Sequence, residues 1–116
     1  MGERLTRTVR FTQAMIDAYG AFNGDRDILH YDEEYARARG YRGTINHGLH
    51  SLALAADLGM RRHGPAWLER GRVSAKWTGP VCPGDELTIV LEEDGTLRAT
   101  VGDGQVVMVG EMTLAE

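Results

Sequence analysis

The strongest constraint on the fold of this chain is a predicted helix that has almost no polar side. Between Gly48 and His63, apolar residues fall on nearly every side of the helical turn: Leu49, Leu52, Ala53, Leu54, Ala55, Ala56, Leu58 and Met60. Basic residues at 61–63 and the following Gly64-Pro65 mark its end. At 1.5 Å per residue the helix is roughly 24 Å long, enough to cross a whole sheet. We therefore expect the rest of the chain to surround it.

The residues around this helix predict one strand before it and about four strands after it. Val9 and Phe11 share one side of an alternating segment, residues 6–11, and Thr12 is a suitable N-cap for a helix that ends at Asn23-Gly24. The later segments alternate in polarity or lie between hairpin glycines, and they cover residues 73–77, 87–91, 97–101 and 106–114. This order indicates a single α+β domain over residues 1–116, with an antiparallel sheet of about five strands wrapped around the long central helix.

The composition argues against several functional classes. The chain has 116 residues, a formal net charge of −4 and no run rich in Lys and Arg, which argues against nucleic acid or an anionic membrane surface as the partner. The single cysteine, Cys82, cannot form an internal disulfide, which is typical of a reducing compartment. No segment has the apolar length of a signal peptide or a membrane span. We therefore expect a cytoplasmic protein that acts on a small ligand.

The segment that leads into the central helix contains the residues best suited to chemistry. Asp25 follows the end of a predicted helix, His30 lies in an irregular segment at residues 26–31, and Gly48 opens the central helix. An acid, a base and amide donors are what acid–base chemistry on a carbonyl compound needs. Each residue alone has a structural alternative. Asp25 suits an Asx turn, His30 suits an interior position, and Gly48 suits the entry to a helix.

Two motifs in this segment resemble the hydratase motif of the MaoC-like family, the hot-dog-fold enoyl-CoA hydratases and 3-hydroxyacyl dehydratases. The motifs are GDRDILHYDEEYA, at residues 24–36, and INHGLHSLALAADL, at residues 45–58. A third segment, residues 79–95, is similar to the family's later strands, so the likeness covers most of the chain. Asp25 and His30 are five residues apart, and His30 and Gly48 are eighteen apart, as in the family. This joint spacing favours an active-site segment over the three structural alternatives.

The resemblance implies a hot-dog fold and the reversible hydration of a trans-2-enoyl thioester, or the dehydration of a 3-hydroxyacyl thioester. Asp25 and His30 would hold or deprotonate the water and manage proton transfer at C2, while the backbone N–H of Gly48 would polarise the thioester carbonyl. It implies no metal and no other cofactor. The expected substrate is an acyl-CoA or acyl-carrier-protein thioester, and the expected assembly is a homodimer or a higher homo-oligomer. The alternatives are an acyl thioesterase on the same fold and a non-catalytic protein that binds an acyl thioester or another small ligand.

Several positions depart from the family pattern and bear on the substrate. Asp27-Ile28 stands where the family usually has Asn-Pro, and an inward-pointing Asp27 would raise the pKa of Asp25, or its own, by like-charge repulsion. Asn46 and His50 replace residues that are usually small or apolar beside the oxyanion site. We predict that Asp27, Asn46, His47 and His50 contact the substrate. A structural role in the turn is the alternative for His47, and a solvated helix face is the alternative for His50.

Overall fold

The structure, a computed structural model, describes residues 3–116; Met1 and Gly2, which the predicted domain includes, lie outside that range. Within it the chain forms five strands: β1 Leu5–Arg10, β2 Gly71–Trp77, β3 Glu86–Leu91, β4 Thr96–Val101 and β5 Gln105–Leu114. The helical elements of the same range are α1 Gln13–Asn23, a 3₁₀ turn at Ile28–His30, α2 Glu33–Ala38, α3 Gly48–His63 and α4 Pro65–Arg70. None of these helices is long and apolar enough to cross a membrane.

The five strands form one antiparallel sheet in the order β1-β3-β4-β5-β2, which confirms the predicted α+β architecture and strand number. Val9 of β1 lies opposite Leu87 of β3, and Trp77 of β2 lies opposite Met108 of β5. The residues of β3 and β4 that alternate towards the core are all buried: Leu87, Ile89, Leu91, Leu97, Ala99 and Val101. Because a shift of one residue would turn this apolar face to solvent, the alternating pattern determines the register of the sheet.

The long helix α3 packs on the apolar face of the sheet, but only one of its sides is covered within this chain. Ala55 and Leu58 are fully buried in the core, whereas Leu49 is 57% exposed and Met60 is 38% exposed. The predicted packing of the sheet on α3 is therefore confirmed, whereas the expectation that α3 is surrounded on all sides is not met by residues 3–116. The reason is geometric, because one curved sheet covers one side of a helix and leaves the opposite side to solvent or to another molecule.

The signals at the helix ends agree with the structure, and two elements differ from the prediction. Thr12 caps α1 by accepting a hydrogen bond from the N–H of Met15 at 3.2 Å, and Gly24 ends α1 with a left-handed φ of 77°. The segment predicted to be irregular contains the 3₁₀ turn, whose N-cap is Asp27. The sequence also missed α4. Gly64-Pro65 ends one helix and begins the next, since proline fits the first position of a helix.

Candidate active site

Asp25 and His30 form a close pair on the loop between α1 and α2. Asp25 Oδ2 lies 3.3 Å from His30 Nε2. On the other side of the ring, Nδ1 lies 2.8 Å from the carbonyl oxygen of Ile45, which can only accept, so Nδ1 carries the proton of the neutral imidazole. Nε2 then presents a lone pair towards the carboxylate. Asp25 Oδ2 and His30 Nε2 are then both acceptors, which can be bridged by a shared proton or by one water molecule that donates to each of them. The pair is therefore suited to acid–base chemistry.

Every polar group of Asp25 has a partner, although the residue lies on a loop. Its N–H donates to Asn23 Oδ1 at 2.8 Å, and its Oδ1 accepts from the N–H of Asp27 at 3.0 Å. Its carbonyl oxygen accepts from the Tyr31 hydroxyl at 2.5 Å, while Oδ2 faces His30. Asp25 is therefore an Asx-turn residue and one half of the pair at the same time, because each role uses a different carboxylate oxygen.

The surroundings of Asp25 lower its pKa. The hydrogen bond from the Asp27 N–H is the largest influence; desolvation opposes it, and the nearby His30 and His47 lower the pKa further. The Asp27 carboxylate is exposed and accepts from the N–H of Leu29 at 3.0 Å, as the cap of the 3₁₀ turn. The Asp27 carboxylate therefore does not point inward at Asp25, so the like-charge repulsion that the sequence suggested is absent and the pKa of Asp25 is lowered rather than raised.

His47, the residue before α3, packs directly on His30. The two ring centroids are 3.8 Å apart and the ring planes differ by 25°. His47 Nε2 lies 3.2 Å from the Tyr31 hydroxyl oxygen, and because the Tyr31 proton is donated to Asp25, Nε2–H of His47 is the donor in this contact. Burial, followed by the neighbouring His30, lowers the pKa of His47 and favours its neutral form. This placement agrees with the structural alternative for His47.

Distance alone would allow Asp25, His30 and His47 to hold a metal ion, since one ligand atom from each lies within 4.8 Å of the others. The ring geometry does not favour it. Imidazole lone pairs lie in the ring plane, and two rings stacked 25° from parallel do not both aim at one ion about 2.1 Å away. Acid–base chemistry by Asp25 and His30, with His47 packed on His30, fits this arrangement better, and a site without a metal remains the prediction.

Gly48 begins α3 and is held in place by Trp77 from β2. Trp77 Nε1–H donates to the Gly48 carbonyl oxygen at 3.0 Å. A Cβ atom at Gly48 would lie 2.8 Å from the Trp77 ring, so the approach of the indole requires glycine. The first N–H groups of a helix have no helical partner, and the positive end of the helix dipole lies there, so this amide suits a negative oxygen. No local sequence signal links Trp77 to Gly48, and the sequence missed this contact.

A cavity of about 660 Å³ lies beside His30 and Gly48, and both residues line it. The apolar part of its wall comes from the start of α3, the strands β2 and β5 and the loops nearby: Ile45, Leu49, Trp77, Pro80, Val81, Val107 and Met108. Asn46 adds a buried amide to the same wall, where its Nδ2 donates to Ser51 Oγ at 3.1 Å. The size and the lining of the cavity suit a small acyl group.

Four of the predicted site residues do not line this cavity: Asp25, Asp27, His47 and His50. Asp25 borders a second depression of about 440 Å³, so it faces the first cavity only through its contact with His30. His50 packs between Phe11 and Tyr19, with ring centroids 5.2 Å and 4.5 Å away, and burial lowers its pKa. The predicted contact of His50 with substrate gains no support from this packing.

The comparisons with known proteins point to one family. Residues 2–115, nearly the whole chain, match the family model of the MaoC-like domain. Among curated proteins, the probable dehydratase NIT22 of Ajellomyces capsulatus is 38% identical over 77 residues, which are 66% of this chain and 20% of that protein. The chain therefore spans about a fifth of the length of this curated relative.

Solved structures share the fold. The (R)-hydratase from A. caviae involved in PHA biosynthesis is 25% identical, with a TM-score of 0.78 over 98% of this chain and 96% of that chain. R-hydratase PhaJ1 from Pseudomonas aeruginosa is 24% identical, with a TM-score of 0.76 over 100% of this chain and 82% of that chain. A MaoC-like dehydratase from Phytophthora capsici is 22% identical, with a TM-score of 0.82 over 97% of this chain and 42% of that chain. With the family match over nearly its whole length, this chain belongs to the MaoC-like family of hot-dog-fold dehydratases and hydratases.

Proposed function

We propose that this protein is a hydro-lyase that adds water to a trans-2-enoyl thioester and catalyses the reverse dehydration of a 3-hydroxyacyl thioester. The observation that carries the proposal is the Asp25–His30 pair, 3.3 Å apart, with an imidazole that lines the same acyl-sized cavity as Gly48. This reaction needs a group that transfers a proton and a donor that stabilises the negative charge developing on the carbonyl oxygen. The acid–base pair supplies the first, and the N–H at the start of α3 supplies the second.

In the proposed hydration, Asp25 Oδ2 and His30 Nε2 accept the two protons of one water molecule. The water oxygen forms a bond to C3 of the enoyl group, and the C2–C3 π electrons move towards the carbonyl to give an enolate. The pair takes one proton from the water and delivers one to C2, so the protons balance. The Gly48 N–H donates to the enolate oxygen, where a preorganised donor is worth about 3–4 kcal/mol of barrier.

The cavity wall supports a role for Asn46 in substrate binding, because its amide is one of the few buried polar groups, with His30 and Ser51, in a largely apolar wall. Asp27 is turned towards the N–H of Leu29, and His47 packs behind His30, so both act on the pair rather than on the acyl group. The thioester carrier is coenzyme A or an acyl-carrier protein, as the resemblance implies.

A homodimer is part of the proposal, and the free edge of β2 supports it. Within residues 3–116, β2 pairs with β5 and with no other strand, so its outer edge has unpaired backbone groups. The apolar side chains Val73 and Trp77 on β2 are 41% and 45% exposed, and Leu49 of α3 is 57% exposed. A second copy that adds its own β2 would pair this edge. Light scattering at micromolar protein is expected to give twice the chain mass, and a monomer would contradict the assembly.

Crotonyl-CoA tests the proposed reaction directly. We expect loss of the enoyl absorbance without release of free thiol, and formation of a 3-hydroxy thioester. Release of thiol would instead indicate the thioesterase, and stabilisation against heat without turnover would indicate a protein that only binds thioesters. No turnover of any enoyl thioester tried would reject the hydro-lyase.

A further inference from the structure

Tyr31 follows His30 directly in the sequence, and its side-chain hydroxyl contacts the backbone of Asp25. The hydroxyl donates to the Asp25 carbonyl oxygen at 2.5 Å, and it accepts from His47 Nε2 at 3.2 Å. One oxygen atom therefore joins the loop that contains Asp25 to the residue that precedes α3. Tyr31 does not line the cavity beside His30 and Gly48, so it is not expected to contact the proposed acyl group.

The Tyr31 ring can pack against α1 at this position because Gly20, the residue that faces the ring, has no side chain. A Cβ atom at Gly20 would overlap the Tyr31 hydroxyl oxygen and would lie 2.9 Å from Cζ. Gly20 lies inside α1, where glycine costs about 1 kcal/mol relative to alanine. The packing of Tyr31 against the helix explains why a glycine stands at this buried position.

We propose that Tyr31 is a positioning residue, whose hydroxyl holds the Asp25 backbone so that the carboxylate stays at His30 Nε2. Its effect on catalysis rests on the proposed hydro-lyase function. Asp25 lies outside the helices and strands, and its other backbone and carboxylate bonds are to residues two positions away, Asn23 at the end of α1 and Asp27 in the loop. The rest of the loop is held at Leu29 and His30 by bonds to Ile45, whereas the Tyr31 hydroxyl joins Asp25 itself to His47, the residue before α3.

Loss of the hydroxyl is expected to loosen the loop and to change two measurable quantities. The Oδ2–Nε2 separation of 3.3 Å is already long for a hydrogen bond, so added motion costs rate. We expect Tyr31→Phe to lower kcat by about 10- to 100-fold, in line with the cost of small misplacements of catalytic groups. KM is expected to stay within about twofold, because Tyr31 does not line the acyl cavity.

The second quantity is the pKa of Asp25, which reports on the loop whether or not the protein is a hydro-lyase. The titratable groups that face Asp25 are His30 and His47, and those that act on Tyr31 besides Asp25 are Asp17 and Arg26. None of them is changed in Tyr31→Phe. A looser loop weakens the hydrogen bond from the Asp27 N–H, so the pKa of Asp25 is expected to rise towards its ordinary value.

The experiment compares Tyr31→Phe with the matched control Tyr35→Phe, whose ring packs on Arg39 at the far end of α2. The Asp25 carboxyl carbon is titrated by NMR, and crotonyl-CoA hydration is measured for each variant. We expect a raised Asp25 pKa and a lowered kcat in Tyr31→Phe, with neither change in Tyr35→Phe. An unchanged Asp25 pKa in Tyr31→Phe would overturn the proposal. A wild type that hydrates no enoyl thioester would reject the function, while the titration would still decide the role of Tyr31.

Gly20→Ala perturbs the same contact from the helix side and serves as the second variant. The added methyl must displace the Tyr31 hydroxyl, so the Asp25 pKa is expected to rise as in Tyr31→Phe, although alanine favours the helix. The double variant is expected to show no larger pKa change than the larger of the two single variants, because both remove one contact. Additive changes would overturn the proposal.

Discussion

Gly48→Ala is the substitution whose effect follows most directly from the geometry. The new Cβ would lie 2.8 Å from the Trp77 indole, whereas carbon atoms pack at about 3.5–4.0 Å. The two groups must therefore separate by about 0.7–1.2 Å. The backbone N–H is retained in alanine, so any loss of activity comes from displacement and not from loss of the donor.

The cost depends on which group moves. If the indole moves, its hydrogen bond to the Gly48 carbonyl is lost, at about 0.5–1.5 kcal/mol, and overpacking adds about 1–3 kcal/mol to the loss of stability. If the helix start moves, the N–H shifts by about 1 Å and kcat/KM for hydration falls by about 100-fold. In either case, we expect the Gly48→Ala protein to have a lower free energy of unfolding in urea, a lower kcat/KM for hydration, or both.

Gly43→Ala is the matched control, because the nearest atom to its added Cβ is a Glu33 carboxylate oxygen at 3.7 Å, an ordinary contact. Trp77→Leu removes the ring atoms that collide, so Gly48→Ala with Trp77→Leu should lose less stability than the sum of the two single losses. Wild-type stability and activity in Gly48→Ala, or strictly additive losses in the double variant, would refute the role given to this contact.

Two further predictions concern stability. Asp85→Asn should lower the free energy of unfolding at pH 7 by about 1–3 kcal/mol, because the Asp85 carboxylate accepts from the Arg42 guanidinium at 3.1 and 2.8 Å. Burial alone raises the pKa of Asp85, but the hydrogen bonds from Arg42 and from the Cys82 N–H lower it overall. The difference in the free energy of unfolding between the variant and the wild type should therefore shrink as the pH falls below about 3.9. A difference that stays constant with pH would contradict this. Ile28→Pro should raise the free energy of unfolding by about 0.4–1 kcal/mol in urea, because Asp27 has φ −60° and ψ 124°, which suit a following proline; a loss of stability would refute it.

Local chemistry made much of the chain predictable. The caps Thr12 and Gly24 act through neighbours within four positions, and both occur where the sequence places them. The alternation of β3 and β4 determined their buried face because a strand has a period of two. Asp25 and His30 also meet within one loop, and their pairing was indicated by the resemblance to the MaoC-like family, since each residue alone had a structural alternative.

The sequence could not predict contacts that the fold makes between distant elements. Trp77 meets Gly48 across 29 positions, and Tyr31 meets Gly20 across a helix end, and neither pair has a local pattern. The apolar pattern of α3 also gave no indication that the side of the helix with Leu49 would be left uncovered by the sheet. His50 shows the same limit, because its place on an apolar helix gave no indication that Tyr19 would stack on it.

The most direct test of the central claim is kcat/KM for crotonyl-CoA hydration in wild type, Asp25→Asn, His30→Ala and the double variant. If the pair handles the water and its protons together, each single variant should lose at least about 100-fold, and the double variant should be little worse than the poorer single variant. Circular dichroism should show all four proteins folded. Wild-type activity in either single variant, or losses that multiply in the double variant, would contradict the claim.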